Sequence, residues 1–308
     1  MALAEYRARL HRLFTRWDPR GVLVSDAQAA LAVTRLRNPE HESAASLESA
    51  RWVCDAAVHP VLEQPLPSAF RVSSFLPVTS LLSLAMISTK GVGATLFYHW
   101  LYQSHAAATR YCNYADTSRP LDARRMLGAY AASTGVAWGV SAASFALVAR
   151  LPRLRILGLV VPHSAVACAG AISTVMNAEV ELAEGIGVCD DAGVERGCSR
   201  EAARVTVQRA VLLHGLLVPG CALLLPVVSM RTLAPHLMRT APRMLLPTAT
   251  ALVLGGTCVV TPLAAACVPP TVTLPLDRLE PPLRALADAD ADDGRPALTH
   301  LHGTRPLY

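Results

Sequence analysis

The chain has 308 residues, of which 52% are hydrophobic and only 17% are charged, and its mean hydropathy is +0.35. Soluble domains carry about 25% charged residues, so this composition argues against an ordinary soluble enzyme and favours a helical membrane protein. The net charge is +5, but the arginines lie singly between apolar blocks and form no clustered basic patch. We therefore expect no nucleic-acid partner, because basic residues that flank apolar segments are typical of membrane insertion.

The N-terminal part of the chain is polar and has helical periodicity. Over residues 3–17, apolar residues recur at steps of three and four, with arginines on the other faces. Such a start is compatible with a mitochondrial presequence and equally with a permanent helix on a membrane surface. A second helix is predicted after Ser25, whose hydroxyl can cap its first turn, and a third over 47–58 that ends before His59-Pro60.

The chain becomes strongly apolar after residue 70. Five blocks of at least eighteen residues contain no Asp, Glu, Lys or Arg: residues 72–89, 126–149, 156–176, 210–230 and 244–268. At about 1.5 Å per residue these blocks can cross a hydrocarbon layer of about 30 Å, the first of them only barely. The sequence therefore predicts an all-α, polytopic membrane protein with five transmembrane helices, or six if residues 93–115 also cross.

Two features of the apolar blocks concern helix packing. Small residues at four-residue spacing in the second block predict that another helix packs closely against it; they are Ala131, Gly135, Gly139 and Ala143. Prolines inside the blocks are expected to kink or interrupt helices, and interrupted helices free backbone groups at the depth where many carriers bind solute. These prolines are Pro77, Pro162, Pro219, Pro226, Pro247 and Pro262.

These patterns divide the chain into three regions. Residues 1–70 form a helical, membrane-proximal region, residues 71–268 form the transmembrane bundle, and residues 269–308 form a C-terminal tail. The tail contains several prolines and the acidic run Asp288–Asp293, so we expect it to be extended or loosely ordered.

The segment 93–115 is helical and aromatic-rich but polar, and it can either cross the membrane or lie flat at its surface. Within it, Arg110 can pair with the carboxylate of a solute. The candidate solute-binding residues are Trp100, Gln103, Ser104, His105, Arg110, Tyr111 and Asn113, with Asn177 at the end of the third apolar block.

The sequence contains no legible catalytic motif, so we expect no enzymatic activity, no cofactor and no metal site. There is no GxSxG, no phosphate-binding loop and no GxGxxG after a strand. The apolar blocks contain no carboxylate, and proton-driven pumps generally keep Asp or Glu in the membrane as relays. The sequence therefore favours a facilitative carrier over an active pump.

Short motifs follow one another in a specific order along nearly the whole chain. The N-terminal motifs are Leu13-Phe14-Thr15, Asp18-Pro19-Arg20, His59-Pro60 and Phe70-Arg71-Val72-Ser73. The central one consists of Trp100, Leu101, Gln103, Ser104, His105, Tyr111 and Asn113. The C-terminal ones are Glu184-Gly185-Ile186, Gly193, Pro219-Gly220, Pro242-Arg243, Pro247, Pro262-Leu263, Pro269 and Leu279-Glu280-Pro281. This order resembles the sideroflexins, also called mitochondrial tricarboxylate carriers, and its Gln-Ser-His element and tail look most like the sideroflexin-5 branch.

The resemblance implies a multi-pass protein of the mitochondrial inner membrane that transports a small, serine-like amino acid or a small carboxylate such as citrate. Its partners would be that solute and the lipid bilayer, and it could form a homo-oligomer. Tyr102, Ala106 and Arg110 stand where the family usually has Asn, and an Asn amide both donates and accepts hydrogen bonds whereas Arg only donates. Loss of these amides supports the alternative hypothesis of a non-transporting membrane scaffold or assembly factor of the same family.

Overall fold

The computed structural model describes residues 3–89, 91–114, 122–151, 153, 160–190, 193–269, 271–285 and 300–303. Its N-terminal part contains the helices α1 (Leu3–Arg16), α2 (Asp26–Arg37) and α3 (Ala44–Ala57). The predicted cap at Ser25 is confirmed, because Ser25 Oγ accepts a hydrogen bond from the Gln28 backbone N at 3.2 Å. Gln28 Oε1 in turn accepts one from the Ser25 backbone N at 2.8 Å, which completes a capping box.

Helix α1 packs against the apolar helices of the bundle. Leu13 and Trp17 are buried in one cluster with Leu213 and Ala265. The Tyr6 hydroxyl donates a hydrogen bond to the Leu263 carbonyl oxygen at 3.2 Å. Of the two alternatives for the arginine-rich start, this packing supports a permanent helix that belongs to the fold.

A buried arginine joins the N-terminal region to the start of the first apolar helix. Arg71 is only 1% exposed, and its guanidinium donates to three backbone carbonyl oxygens: those of Leu66 (2.8 Å), Gly21 (3.0 Å) and Val24 (2.6 Å). It also pairs with Asp26 Oδ1 at 3.2 Å. Burial lowers the pKa of Arg71, and the charge of Asp26 opposes this effect. A buried charge needs such partners, and through them Arg71 holds the N-terminal region against the start of the first apolar helix.

All five predicted apolar blocks contain helices. The first four helices of the bundle are α4 (Phe75–Ser88), α5 (Val92–Cys112), α6 (Ala123–Arg150) and α7 (Val161–Asn177). The short helix α8 (Glu179–Glu184) precedes α9 (Arg200–Leu212), α10 (Leu225–Thr240), α11 (Leu245–Gly255) and α12 (Thr261–Ala266).

The described residues include three helices that are long and apolar enough to cross a membrane: Ala123–Arg150, Arg200–Thr240 and Pro242–Ala266. Val72–Ser88 is apolar but shorter, and α7 has 17 residues. The first residues of the predicted block 156–176 lie outside the described residues. The predicted class, an all-α multi-pass membrane protein, is confirmed, and three of the five predicted spans reach full length within the described residues.

The prolines in the last two apolar blocks leave their helices continuous. Instead of a break, the chain widens into π-helical segments at Leu213–Leu217, Gly220–Leu224 and Gly256–Val260. Pro219 lies between the first two segments. A proline lacks the backbone N–H that an α-helical hydrogen bond needs, and a π-helical turn changes the hydrogen-bond register from i→i+4 to i→i+5. The expected interruptions are therefore π-helical turns within continuous helices.

The prediction about the small residues of α6 is wrong for packing within the chain. Ala131, Gly135, Gly139 and Ala143 are all exposed, and a Cβ added at either glycine would meet nothing within 4 Å. Helix α6 packs on α7 through a different face, where Ala137 is buried against Ala165 and Ala169. Because an apolar helix is apolar on every side, its pattern does not indicate which face packs.

A small antiparallel sheet, which the sequence analysis did not predict, lies beside the bundle. Its strands β1 (Ile186–Cys189), β2 (Glu195–Ser199), β3 (Thr273–Pro275) and β4 (His300–Gly303) have the order β2-β1-β4-β3. Ile186 and Val188 share a core with Leu274 and Leu279. The expectation of a loosely ordered tail is therefore wrong for residues 272–283, which pack against this sheet; the acidic run 288–293 lies outside the described residues.

Candidate functional site

The predicted solute-binding residues lie on different faces of α5. Gln103 is buried, with 5% of its surface exposed, whereas Trp100 (39%) and Tyr111 (59%) point outward. The rings of Trp100 and Phe97 contact each other in a tilted arrangement, with 5.7 Å between the ring centroids. The helix thus presents one buried polar face and one exposed aromatic face.

Three predicted residues connect α5 to its neighbours. His105 Nε2 donates to the Ala69 carbonyl oxygen at 3.0 Å, since a carbonyl can only accept. Asn113 Nδ2 donates to the Phe70 carbonyl oxygen at 2.7 Å. Ser104 Oγ donates to the Trp100 carbonyl oxygen at 2.8 Å and forms a second hydrogen bond with the Tyr130 hydroxyl at 2.9 Å. These contacts position α5 against the 68–70 turn and α6.

Gln103 and Arg110 meet in a cavity of about 30 Å³ between α5, α6 and α7. Its lining is mostly polar: Gln103, Ala106, Ala107, Arg110, Met126, Tyr130, Ser133, Ser173 and Asn177. A water needs at least ~10–15 Å³ of such volume, so the cavity has room for about two waters. A larger solute requires the three helices to move apart.

The hydrogen-bonding groups of the cavity suit a small carboxylate-bearing molecule. Arg110 Nη1 donates to Ser173 Oγ at 3.3 Å, and a guanidinium carries further N–H donors that can bind a carboxylate in a bidentate manner. Asn177 Nδ2 donates to the Ser173 carbonyl oxygen at 2.6 Å. Gln103 Nε2 is buried and has no hydrogen-bond partner within the described residues, so it is available to a ligand.

The sequence analysis missed three of these lining residues, Tyr130, Ser133 and Ser173. They lie inside apolar blocks, where isolated hydroxyls are common and carry no signal of their own. The sequence nevertheless indicated a polar face on α6, because Tyr130 and Ser133 are three residues apart and therefore share one helix face. Asn177 was identified as a candidate, and the structure brings it to the same cavity as Arg110.

A larger cavity of about 930 Å³ lies between the N-terminal helices and the end of α5, where Asn113 lines it. Three of its arginines, Arg9, Arg12 and Arg16, come from α1, and their spacing places them on one helix face. Burial lowers the pKa of Arg16, against the opposing effect of Asp55. With Arg37, the lining carries four arginines against the carboxylates of Asp55 and Glu63, so its net charge is positive.

His59, at the edge of this cavity, is fully used in structural hydrogen bonds. Its Nδ1 accepts hydrogen bonds from the backbone N of Val61 and of Leu62, each at 3.1 Å. Its Nε2 therefore carries the proton and donates to the Tyr114 carbonyl oxygen at 2.9 Å. The imidazole connects the 59–63 turn to the end of α5, and neither ring nitrogen is left to bind a metal or a solute.

Comparisons with known proteins identify similar chains. The family model described as sideroflexins matches residues 2–300. The chain is 27% identical to a sideroflexin of Schizosaccharomyces pombe over 93% of this chain and 92% of the relative. It is 30% identical to sideroflexin-3 of Mus musculus, over 92% and 90%, and 28% identical to human sideroflexin-5, over 86% and 81%. These identities do not separate the two branches. No solved structure gives a significant match.

Proposed function

The chain belongs to the sideroflexin family, and on that premise we propose that it carries a small amino acid or a small carboxylate across the mitochondrial inner membrane. The observation that supports this proposal best is the polar cavity between α5, α6 and α7 in a multi-pass membrane protein. Polar residues within a membrane bundle, such as the buried Gln103, are costly and generally mark the path of a solute or ion. Arg110 lies near the end of α5 and is exposed.

Arg110 and Gln103 have the central roles in this proposal. The Arg110 guanidinium binds the carboxylate of the solute, and the unpartnered Gln103 amide donates to a second oxygen or hydroxyl. The hydroxyls of Tyr130 and Ser133 complete the polar wall. Asn113 and His105 act indirectly, because their hydrogen bonds to the 68–70 turn fix the end of α5.

The composition of the cavity favours a carrier over an enzyme or an ion-coupled pump. Among the described residues that line it, none is a histidine, a cysteine or a carboxylate. No base is therefore present there to activate a serine hydroxyl, and no carboxylate is present to relay protons. A facilitative carrier that moves its solute down a gradient needs neither group.

The experiment is solute uptake into liposomes that contain the purified protein, with radiolabelled L-serine, L-alanine and citrate as probes. Loss of a charge-assisted hydrogen bond costs about 1.5–3 kcal/mol, so Arg110→Gln should lower kcat/KM about 10- to 100-fold. Arg124→Gln is the matched control, because Arg124 is likewise exposed but does not line the cavity, so its loss should leave uptake unchanged. Absence of uptake of all three probes by the unaltered protein would refute the proposal.

The second candidate is a membrane scaffold or assembly factor. It is supported by the outward positions of Trp100 and Tyr111 and by the structural hydrogen bonds of Ser104, His105 and Asn113. A variant with Gln103, Arg110 and Asn113 all replaced by Ala distinguishes the two functions. If it restores growth of cells that lack the protein, the scaffold function is supported; if the cells remain defective while the protein is correctly inserted, the carrier function is.

A further inference from the structure

Several side chains in the interior of the bundle have polar atoms with no hydrogen-bond partner among the described residues. They are both ring nitrogens of His99, Ser83 Oγ, Gln103 Nε2, Thr134 Oγ1 and Ser141 Oγ. None of these residues is more than 7% exposed. Buried polar groups are almost always paired in folded proteins, and an unpaired one costs free energy comparable to a lost hydrogen bond. Such groups on three neighbouring helices therefore need an explanation.

Apart from Ser83 of α4, these residues belong to the neighbouring helices α5 and α6. The buried residues of α5 are Thr95, His99 and Gln103, and their spacing of four places them on one helix face. At 1.5 Å per residue they extend about 12 Å along the axis. Gln103 at one end lines the polar cavity, so the stripe leads from that cavity toward the N-terminal end of α5.

The register between α5 and α6 places the two halves of the stripe opposite each other. The Trp138 Nε1 donates to the Leu96 carbonyl oxygen at 2.9 Å, and Ser104 bonds to Tyr130 at 2.9 Å. These two hydrogen bonds show that the helices are antiparallel, and interpolation between them puts Thr134 level with His99. We call the set Thr95, His99, Gln103, Thr134 and Ser141 the α5–α6 polar stripe. Of these residues, Thr95 already donates from its Oγ1 to the Gly91 carbonyl oxygen at 2.9 Å.

We infer that the α5–α6 polar stripe is the route along which the solute passes, and that His99 is a specificity-determining residue at its centre. This inference rests on the proposed carrier function and extends it to residues beyond the cavity. A solute or its hydration water would supply the hydrogen bonds that the stripe lacks. His99 is 0% exposed and is neutral there because burial of an unpaired charge is prohibitively costly.

The chemistry of the stripe determines which solutes can pass. Its side chains are hydroxyls, one amide and one neutral imidazole, and together they offer both donors and acceptors. They carry no charge that could compensate a multiply charged anion at this depth. The stripe therefore suits a small molecule with no net charge and several hydrogen-bonding groups, with Arg110 at the cavity end as the group that binds its carboxylate.

The first test is uptake by His99 variants in liposomes. His99→Leu has a similar volume and no hydrogen-bonding group, so uptake of L-serine should fall at least tenfold, whereas His99→Gln should retain uptake within about threefold. Phe97→Leu, at an exposed position of the same helix, is the control and should transport normally. Equal insertion and elution of all variants show that they are folded.

The second test measures access to the stripe without relying on transport. Ser141→Cys and Ala143→Cys are compared in a variant in which the eight native cysteines are replaced by serine or alanine. Ala143 is exposed and lies about 200° from Ser141 around the axis of α6, so it is off the stripe. A small water-soluble thiol reagent should modify Cys at 141 several times faster than Cys at 143, and excess solute should slow the reaction at 141.

The outcomes separate this inference from the proposed function. Uptake by the unaltered protein that is insensitive to His99→Leu, with equal labelling at 141 and 143, overturns the inference and leaves the carrier proposal intact. Preferential labelling at 141 without uptake of any probe supports a hydrated stripe and contradicts the carrier proposal. Loss of uptake in His99→Leu together with preferential labelling at 141 supports both.

Discussion

Gly256, where a π-helical segment begins, allows two helices of the bundle to approach closely. A Cβ added at Gly256 would overlap the Cys221 carbonyl oxygen and lie 3.4 Å from its carbon and 3.5 Å from Pro226 Cγ. The obstacle is backbone in another π-helical segment and cannot rotate away, so Gly256→Ala must push the two segments apart. Overpacking of this kind costs about 1–3 kcal/mol.

The adjacent Gly255 is a matched control, because a Cβ there would meet nothing within 4 Å. Replacement of a helical glycine by alanine gains up to ~1 kcal/mol of helix propensity, and both variants share this gain. Gly255→Ala should therefore be neutral or stabilising, and Gly256→Ala should be less stable than Gly255→Ala by about 1–3 kcal/mol. The measurement is the thermal denaturation midpoint of the purified proteins in one detergent. Equal midpoints for the two variants would refute the proposed close contact.

Two further predictions concern regions outside the membrane-spanning helices. Arg71→Ala leaves three carbonyl oxygens without their buried donor and should lower the free energy of unfolding by about 3 kcal/mol or more. Arg71→Lys should recover part of this loss. Unchanged denaturation midpoints in both variants would contradict the structural role of Arg71. Burial raises the pKa of Glu280, but the hydrogen bonds that its carboxylate accepts, among them those from the backbone N of Glu201 and of Arg200, outweigh this effect and lower the pKa overall. The contribution of the Glu280 carboxylate to the stability of the fold is thus present above the unfolded pKa of about 4.3 and is lost as the pH falls through the lower folded pKa. Glu280→Gln should therefore flatten the dependence of the denaturation midpoint on pH between 3 and 6. An unchanged slope would show that Glu280 does not contribute to stability.

Local sequence signals were sufficient for the presence of the helices and for some of their ends; the third helix begins at Ala44, three residues before the predicted start. The Ser25 capping box and the stop before His59-Pro60 are encoded within a few residues, and the structure has both. Apolar blocks free of charge likewise predicted the helices of the bundle, because a segment buried in hydrocarbon must satisfy its backbone internally and tolerates little charge. The ordered motifs along the chain predicted the family, which the family model confirms.

Sequence patterns did not determine how each helix is rotated about its axis. In α6 the small residues Gly135 and Gly139 face outward while Ala137 packs, although all three are equally compatible with burial. For α5, a list of polar residues could not distinguish Gln103, which lines the cavity, from Tyr111, which is exposed. Neighbouring positions on a helix differ by about 100° in direction, so only the packing of whole helices determines which side chains meet.

The pairing of distant segments was also decided by the tertiary structure alone. Strand β4 pairs with β1 although more than a hundred residues separate them, and Glu280 of the tail caps the start of α9. Such contacts depend on where the intervening helices place the chain, and no periodicity within a short window records that. The amino-acid pattern thus determined which segments are helical and apolar, while the positions of the cavity and of the polar stripe arose from contacts between helices.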